Sequence, residues 1–152
     1  MWVIHPLPGR DYDKRAWDWF PSLADLVIVR GYTDKICFTG TEEQFLYVND
    51  IIKKMVYGDW ACNRCGLYDL IDLVSLLKRA EMVITVNTMT MHLAATLALP
   101  TVAIIGGTSA DVVAPCDQFN FKYVENVDNI NEITVDQVME KIEELLSAGW
   151  SS

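Results

Sequence analysis

The sequence predicts an α/β fold, in which an open and mostly parallel sheet carries helices on both faces. Apolar runs of strand length alternate along the chain with segments whose apolar residues recur at helical spacing. Two of these runs, residues 82–86 and 101–105, are continuous and rich in β-branched residues. Such runs are typical of strands that are buried on both faces of a parallel sheet.

The same patterns predict each element in turn. Strands are expected at residues 2–5, 35–39, 82–86 and 101–105, with short ones near 60–62 and 122–124. Helices are expected at residues 18–29, 41–55, 67–79, 90–99 and 134–148. Pro21 suits a first helical turn, Thr41 with Gln44 forms a capping-box pattern, Thr134 is a predicted N-cap and Gly149 a predicted C-terminal cap.

Length and charge narrow the possible functions. A chain of 152 residues without repeats or linkers predicts a single domain over residues 1–152. The net charge of −9 argues against binding to nucleic acid or to anionic membrane surfaces. We find no signal-peptide pattern and no apolar run of about 18 residues, so we expect a cytoplasmic protein without a membrane span.

The cysteine pattern does not predict a metal centre or a cofactor. The four cysteines are Cys37, Cys62, Cys65 and Cys116, and Cys62 with Cys65 forms a C-x-x-C motif. No second ligand pair follows at the spacing of a zinc site. A redox pair at this motif is a weak alternative, and we expect four reduced, mostly buried thiols.

Polar residues gather where the predicted strands end. Ligands of open α/β sheets bind outside the carboxyl ends of the strands. Four loops are therefore candidates for a binding site, at residues 6–17, 40–43, 87–92 and 106–111.

The segment at residues 83–95 is the most informative of these. A buried strand ends there, a short polar turn follows, and a helix begins. Such a turn directs free backbone N–H groups and the positive end of the helix dipole at one spot, which suits a phosphate. Thr88 and Thr90 add hydroxyls, and His92 lies in the first turn. The ordinary alternative is that Asn87 and Thr88 cap the helix and that His92 is a partly buried helix residue.

Four pieces of the chain, in order, resemble one family. They are Ile4-His5-Pro6 followed by Lys14 and Trp17; Gly40-Thr41-Glu42; Asn87-Thr88-Met89-Thr90-Met91-His92-Leu93-Ala94-Ala95; and Pro100 followed by residues 101–108. They are similar to the H-P…K…W, G-x-E, D-T-G-x-x-H-L-A-A and P-strand-F-G segments of glycosyltransferase family 9, the ADP-heptose:lipopolysaccharide heptosyltransferases and their relatives. The resemblance implies a Rossmann-like fold, which forms the C-terminal, nucleotide-sugar-binding half of a GT-B glycosyltransferase.

The resemblance also implies roles for individual residues. Lys14 would approach the diphosphate, and Glu42 would accept hydrogen bonds from the nucleoside. Thr88, the backbone of Met89 and His92 would bind the phosphates. The complete expected nucleotide-sugar site is Lys14, Glu42, Asn87, Thr88, Met89, His92, Gly107 and Thr108. Asn87 and Met89 stand where the family has Asp and Gly, and a solvated surface charge is the alternative for Lys14 and Glu42.

The implied function is binding of a nucleotide-sugar donor, of the ADP-heptose type, in lipopolysaccharide biosynthesis. The family's other domain supplies the general base, so we assign no catalytic residue in this chain and predict no sugar transfer by the chain alone. An N-terminal GT-B-like partner chain or a homodimer would cover the apolar surface. The alternative function is a non-catalytic module that binds a nucleotide or serves as a protein-interaction surface.

Overall fold

Six parallel strands form the sheet in the computed structural model, which describes residues 1–9, 16–115 and 120–148. The strand order is β3-β2-β1-β4-β5-β6, and every neighbouring pair is parallel. The strands are β1 (Trp2–His5), β2 (Ile36–Phe38), β3 (Ala61–Asn63), β4 (Met82–Val86), β5 (Thr101–Gly106) and β6 (Phe121–Asn126). The predicted parallel α/β architecture is confirmed.

Helices provide the connections between consecutive strands, as parallel pairing requires. The α-helices are α1 (Phe20–Val29), α2 (Phe45–Lys53), α3 (Leu70–Lys78), α4 (Met89–Thr96), α5 (Ala110–Val113) and α6 (Val135–Ser147). Short 3₁₀ turns lie at Glu42–Gln44, Gly58–Trp60 and Ile130–Glu132. Within the described ranges, no helix has the length and apolar character needed to cross a membrane.

The helices cover the sheet from both sides, because successive strand residues point to opposite faces. Trp2 and Ile4 of β1 pack against α1, α2 and α6 in the larger apolar cluster. Val3 points the other way, into a cluster with Leu77 of α3 and Ala94 of α4. A third cluster joins α4 and α5 to β5. The core is therefore two apolar layers, one on each side of the sheet.

Several helices begin or end at residues other than those predicted from the sequence. The helix predicted from residue 67 begins at Leu70, because the side chain of Asp69 accepts a hydrogen bond from the Asp72 backbone N–H and caps it there. The helix predicted at residues 41–55 begins with a 3₁₀ turn and ends at Lys53. α5 lies partly within a predicted loop and was not expected. Gly149, the predicted C-terminal cap, lies outside the described residues.

Several hydrogen bonds tie the first third of the chain to the last, and two of the shorter ones lie just before α1. The indole N–H of Trp17, which is buried, donates to the Ile133 carbonyl at 2.9 Å. The backbone N–H of Asp18 donates to Oδ1 of Asn131 at 2.8 Å. The segment that enters α1 is therefore held by the segment that precedes α6.

Gly106, the last residue of β5, lies against the 3₁₀ turn at Ile130–Glu132. A Cβ atom added at Gly106 would stand 2.7 Å from the Cα of Ile130, a distance that real Cβ contacts essentially never show. We expect Gly106→Ala to lower the free energy of unfolding by about 1–3 kcal/mol, because the turn must move to admit the methyl group. Chemical denaturation measures this difference.

Gly9→Ala is the matched control, since a Cβ at Gly9 has nothing within 4 Å. That variant should unfold within about 0.5 kcal/mol of the parent chain. Equal effects of the two substitutions would contradict the close approach at Gly106.

Candidate functional site

The sheet has its topological switch point between β1 and β4. From β1 the chain proceeds outward through β2 to β3, and from β4 it proceeds outward the other way through β5 to β6. The connections that leave β1 and β4 therefore diverge and open a crevice at the carboxyl edge of the sheet, which is where ligands of such sheets bind. The segments bordering it are residues 6–9 and residues 87–92.

His5 joins three elements at this crevice. It ends β1, and its Nδ1 lies 2.9 Å from the hydroxyl of Thr39, which follows β2, and 3.3 Å from the hydroxyl of Thr90 in α4. Both threonines are only 2% exposed. Burial lowers the pKa of His5 to about 4, so the imidazole is neutral at pH 7. The floor of the crevice is thus polar and uncharged.

The start of α4 is left without a side-chain cap. Thr88 occupies the N-cap position, but its side chain makes no capping hydrogen bond. Its hydroxyl lies 3.4 Å from the Val86 carbonyl, to which it donates, and 3.3 Å from the hydroxyl of Thr85. By contrast, Asp69 and Thr134 each accept a hydrogen bond from the first turn of their own helices. The Met91 N–H donates to the Thr88 carbonyl at 3.1 Å, and the N–H groups of Met89 and Thr90 remain available to an acceptor from outside the helix.

These observations correct the ordinary interpretation of this segment. Thr88 does not act as a side-chain cap, because its hydroxyl is directed back toward the end of β4. His92 is exposed, not partly buried. Met89, where the family pattern has Gly, lies in the first helical turn with its side chain 59% exposed and without a positive φ. The backbone there adopts a conformation open to any residue, so only the Met89 side chain distinguishes it from glycine.

The loop after β2 is held in place by Gln44. Oε1 of this buried side chain accepts from the backbone N–H of Thr41 at 3.1 Å, and its Nε2 donates to the Pro8 carbonyl at 2.9 Å. The first bond belongs to the predicted capping box, whereas the second links this loop to the one that leaves β1. Sequence patterns predict only the first, because the second joins residues 36 positions apart. Glu42, in the same turn, is exposed.

The remaining expected site residues are distributed along the same edge. Gly107 and Thr108 follow β5, which pairs with β4, so they lie beside the turn of Asn87 and Thr88. Gly107 has a φ of +75°, which only glycine adopts without strain. Glu42 follows β2, on the other side of β1. Lys14 lies outside the described residues.

Among the described residues, no group of three or more His, Cys, Asp or Glu side chains could hold a metal ion. Cys37, Cys62 and Cys65 are free thiols, and Cys116 lies outside the described ranges.

The lowered pKa of His5 predicts a pH dependence of stability. Unfolding restores an ordinary pKa near 6.5, so between pH 6.5 and about 4 the unfolded chain binds a proton that the folded chain excludes. The stabilisation is therefore complete above pH 6.5 and is lost as the pH falls toward 4. We expect His5→Phe to remove a contribution of up to about 3 kcal/mol to the difference in unfolding free energy between pH 7 and pH 4.

Denaturation at a series of pH values measures this slope. His92→Ala is the matched control, because it removes the other histidine of the chain from an exposed position and should leave the slope unchanged. An unchanged slope in His5→Phe would contradict the neutral, buried state of His5.

The fold and its residues place the chain among known proteins. The family model of glycosyltransferase family 9 (heptosyltransferase) matches residues 3–144. A family 9 glycosyltransferase from Veillonella parvula has a similar structure, with a TM-score of 0.83 and 20% identity over 98% of this chain and 46% of that one. The search of curated proteins found no match.

Two Escherichia coli structures show the same fold. ADP-heptose LPS heptosyltransferase II gives a TM-score of 0.78 at 21% identity, over 96% of this chain and 46% of that one. Heptosyltransferase WaaC with ADP gives 0.79 at 20% identity, over 95% and 43%. The chain thus spans less than half the length of these solved structures. Since the family model covers nearly all of the sequence, the chain belongs to glycosyltransferase family 9.

Proposed function

We propose that this chain is the donor-binding half of a glycosyltransferase and that it holds the diphosphate of a nucleotide sugar at the start of α4. The observation that carries the proposal is the uncapped first turn of α4 beside the switch point of the sheet. A helix start of this kind combines free N–H donors with the positive end of the dipole, and both favour a phosphate.

Neighbouring side chains add to this anion site. The exposed ring of His92 lies at the first turn of α4, and Gly107 and Thr108 lie beside that turn, directly after β5. A nucleoside diphosphate must approach a chain whose net charge is −9. We therefore assign most of the attraction to oriented backbone groups near the phosphates, which act at close range and are little affected by distant charges.

The nucleoside half of the ligand is assigned to the loops after β1 and β2. Glu42 is exposed in the turn that Gln44 ties to Pro8, and a carboxylate there suits the hydroxyls of a ribose. Lys14, which lies between β1 and α1 in the sequence, would contribute a positive charge to the diphosphate. We infer an ADP-heptose-type donor, because the similar WaaC structures contain ADP and ADP-2-deoxy-2-fluoro heptose. Lipopolysaccharide synthesis in the cytoplasm is the corresponding process.

Asn87 and Met89 should make this binding weaker than in relatives that carry the D-T-G motif. Asn87 lacks the carboxylate of an aspartate and so accepts hydrogen bonds from ligand hydroxyls less strongly. The exposed Met89 side chain stands at the first turn, where a phosphate must approach the N–H groups. Met89→Gly removes that side chain without requiring a new backbone conformation.

Calorimetric titration with ADP tests the site. We expect weak binding to the parent chain, loss of up to about 1.5–3 kcal/mol of binding free energy in His92→Ala and in Lys14→Ala, and tighter binding in Met89→Gly. Adenosine in place of ADP should bind much more weakly, because the proposed contacts are to the phosphates.

Lys141→Ala is the control, since Lys141 lies on α6, away from the carboxyl edge, and pairs with Glu144. It should bind ADP as the parent does. No heat with millimolar ADP, UDP or GDP would contradict the donor site and favour the alternative, a family member that retains the fold as an interaction module.

A second domain is proposed to cover the crevice. Several large apolar side chains at the carboxyl edge are exposed, and they lie at or just before the starts of the helices that follow β2, β3 and β4: Leu46 (75%), Leu67 (60%), Leu70 (53%), Ile71 (76%) and Met89 (59%). Clustered exposed apolar residues mark interaction surfaces. The chain matches 46% of the Veillonella structure, so an N-terminal GT-B-like domain is the partner that we propose.

The isolated chain should not transfer sugar. Acceptor activation needs a base within about 3 Å of the attacking hydroxyl, and we assign that base to the other domain. We expect no product from an ADP-sugar donor with the chain alone, and product when an N-terminal half of a family 9 enzyme is added. Chromatography of labelled sugar measures transfer.

The mixture of this chain with the N-terminal half also shows which partner covers the crevice, that half or a second copy of this chain. Light scattering should show complex formation with the N-terminal half, whereas a stable dimer of this chain alone would identify a second copy as the occupant. Transfer by the chain alone that is lost on substitution of Asp11, Asp13 or Asp111 would contradict the assignment of the base.

A further inference from the structure

Two thiols face each other on neighbouring strands at the edge of the sheet. Cys37 of β2 is the register partner of Cys62 of β3, and their Sγ atoms lie 3.2 Å apart. Register partners on adjacent strands are separated by about 4.8 Å, which lies within the Cα separations that disulfides span. Closing a bond of about 2.05 Å therefore needs side-chain rotation and no exchange of strand partners.

The two thiols differ in accessibility. Cys37 is 2% exposed in the core, whereas Cys62 lies on the edge strand, is half-buried, and lines a surface cavity of about 340 Å³ together with Lys35 and Trp60. Cys62 is thus the more accessible of the two residues to a small reagent. Cys65, the other member of the C-x-x-C motif, is 4% exposed and packs in the opposite apolar layer, with Met55 and Phe38. The motif therefore does not form the pair that its spacing suggests.

We propose that Cys62 is an oxidation site of this protein and that Cys37 resolves its oxidised form as a disulfide between β2 and β3. The site is separate from the donor crevice, and the proposal does not depend on nucleotide binding. The oxidant is a peroxide.

The local charges favour reaction at Cys62. The hydrogen bond with Cys37 and the nearby Arg64 guanidinium lower the pKa of the Cys62 thiol to about 6, whereas the hydrogen bond with Cys62, together with burial, raises the pKa of Cys37. Nε of Arg64 is buried and has no hydrogen-bond partner among the described residues. The thiolate is the reactive form of cysteine.

The chemistry balances in two steps. The Cys62 thiolate attacks one peroxide oxygen, the O–O bond breaks, and hydroxide leaves, so that Cys62 becomes a sulfenic acid. The Cys37 sulfur then attacks the Cys62 sulfur, the S–O bond breaks, and a second hydroxide leaves. The two thiol protons convert the two hydroxides to water. Two thiols are oxidised to one disulfide while one peroxide is reduced to two waters.

The new bond would restrain the loop that carries Glu42. The backbone N–H of Gly66, shortly after β3, donates to the Gly40 carbonyl, and a Cβ at Gly66 would stand 2.9 Å from the Cα of Glu42. Cross-linking β2 to β3 fixes the two strands whose ends support this contact. Oxidation should therefore raise the melting temperature by about 5–10 °C, in line with the usual effect of a disulfide on a chain of this size.

Peptide mapping of the folded chain tests the proposal. The protein is treated with one equivalent of hydrogen peroxide, the remaining thiols are alkylated, and trypsin is added. Cleavage after Lys35, Lys54 and Arg64 separates Cys37, Cys62 and Cys65 into different peptides. We expect the Cys37–Cys62 cross-link as the main product, lighter by two hydrogen atoms, and oxidation of Cys62 at least roughly tenfold faster than that of Cys65.

Three variants complete the test. Cys65→Ser is the matched control and should form the same cross-link with the same rise in melting temperature. Cys37→Ala should leave Cys62 as a sulfenic acid that dimedone traps, and Cys62→Ser should abolish the cross-link. A dominant Cys62–Cys65 cross-link, or equal oxidation of Cys62 and Cys65, would overturn the proposal. Mapping of the parent chain decides between these outcomes even if the Cys37→Ala variant does not fold.

Discussion

Parallel pairing of all the strands is the constraint on which the rest of the structure depends. It sends each connection over a face of the sheet and brings each strand end to one edge. The polar turns after β1, β2, β4 and β5 are therefore neighbours, although up to about 100 residues separate them in the sequence. The outward divergence from β1 and β4 then leaves a gap in the layer of helices at that edge.

The described polar groups at the floor of the crevice and the backbone N–H groups at the α4 turn are neutral dipoles and carry no formal charge. His5 is neutral, and Thr39, Thr85 and Thr90 are buried hydroxyls that support the strand ends. At the α4 turn, the backbone supplies the donors, and the Thr88 hydroxyl is turned aside from them. An acidic protein can hold an anion in this way, because N–H groups fixed by the helix need no reorganisation when the ligand arrives.

Much of this architecture was predictable from local patterns. Runs such as residues 82–86 identify buried strands, and the order of strands and helices gives the fold class. The candidate loops were also predictable, because they follow directly after the strands. The bond from Gln44 to Pro8 and the contacts of His5 with Thr39 and Thr90 were not, because they join residues far apart in sequence. The pairing of Cys62 with Cys37 likewise depends on strand register, which the C-x-x-C spacing does not encode.

The ordinary alternative, in which the Thr88 side chain caps α4, is wrong for a related reason. Residue type identifies Thr88 as a good N-cap, but the direction of its hydroxyl is decided by the Val86 carbonyl and by Thr85 beside it. The D-T-G motif and its Asn87-Thr88-Met89 counterpart differ in side chains, whereas the helical backbone at Met89 is available to either glycine or methionine. The proposed phosphate binding at this turn therefore depends on backbone N–H groups, whose positions are fixed by the fold.

The bonds from Trp17 and Asp18 to Ile133 and Asn131 bear on how the chain folds as it is made. β1 is synthesised before the other strands of this sheet and lies between β2 and β4, so its second neighbour is available only after residue 82 is synthesised. The acceptor of the Trp17 indole N–H, the Ile133 carbonyl, is synthesised later still. Non-local pairing of this kind slows folding and leaves apolar strands exposed in the interval. Until α6 docks, this nascent chain is prone to aggregation, and we expect it to need a chaperone during that time.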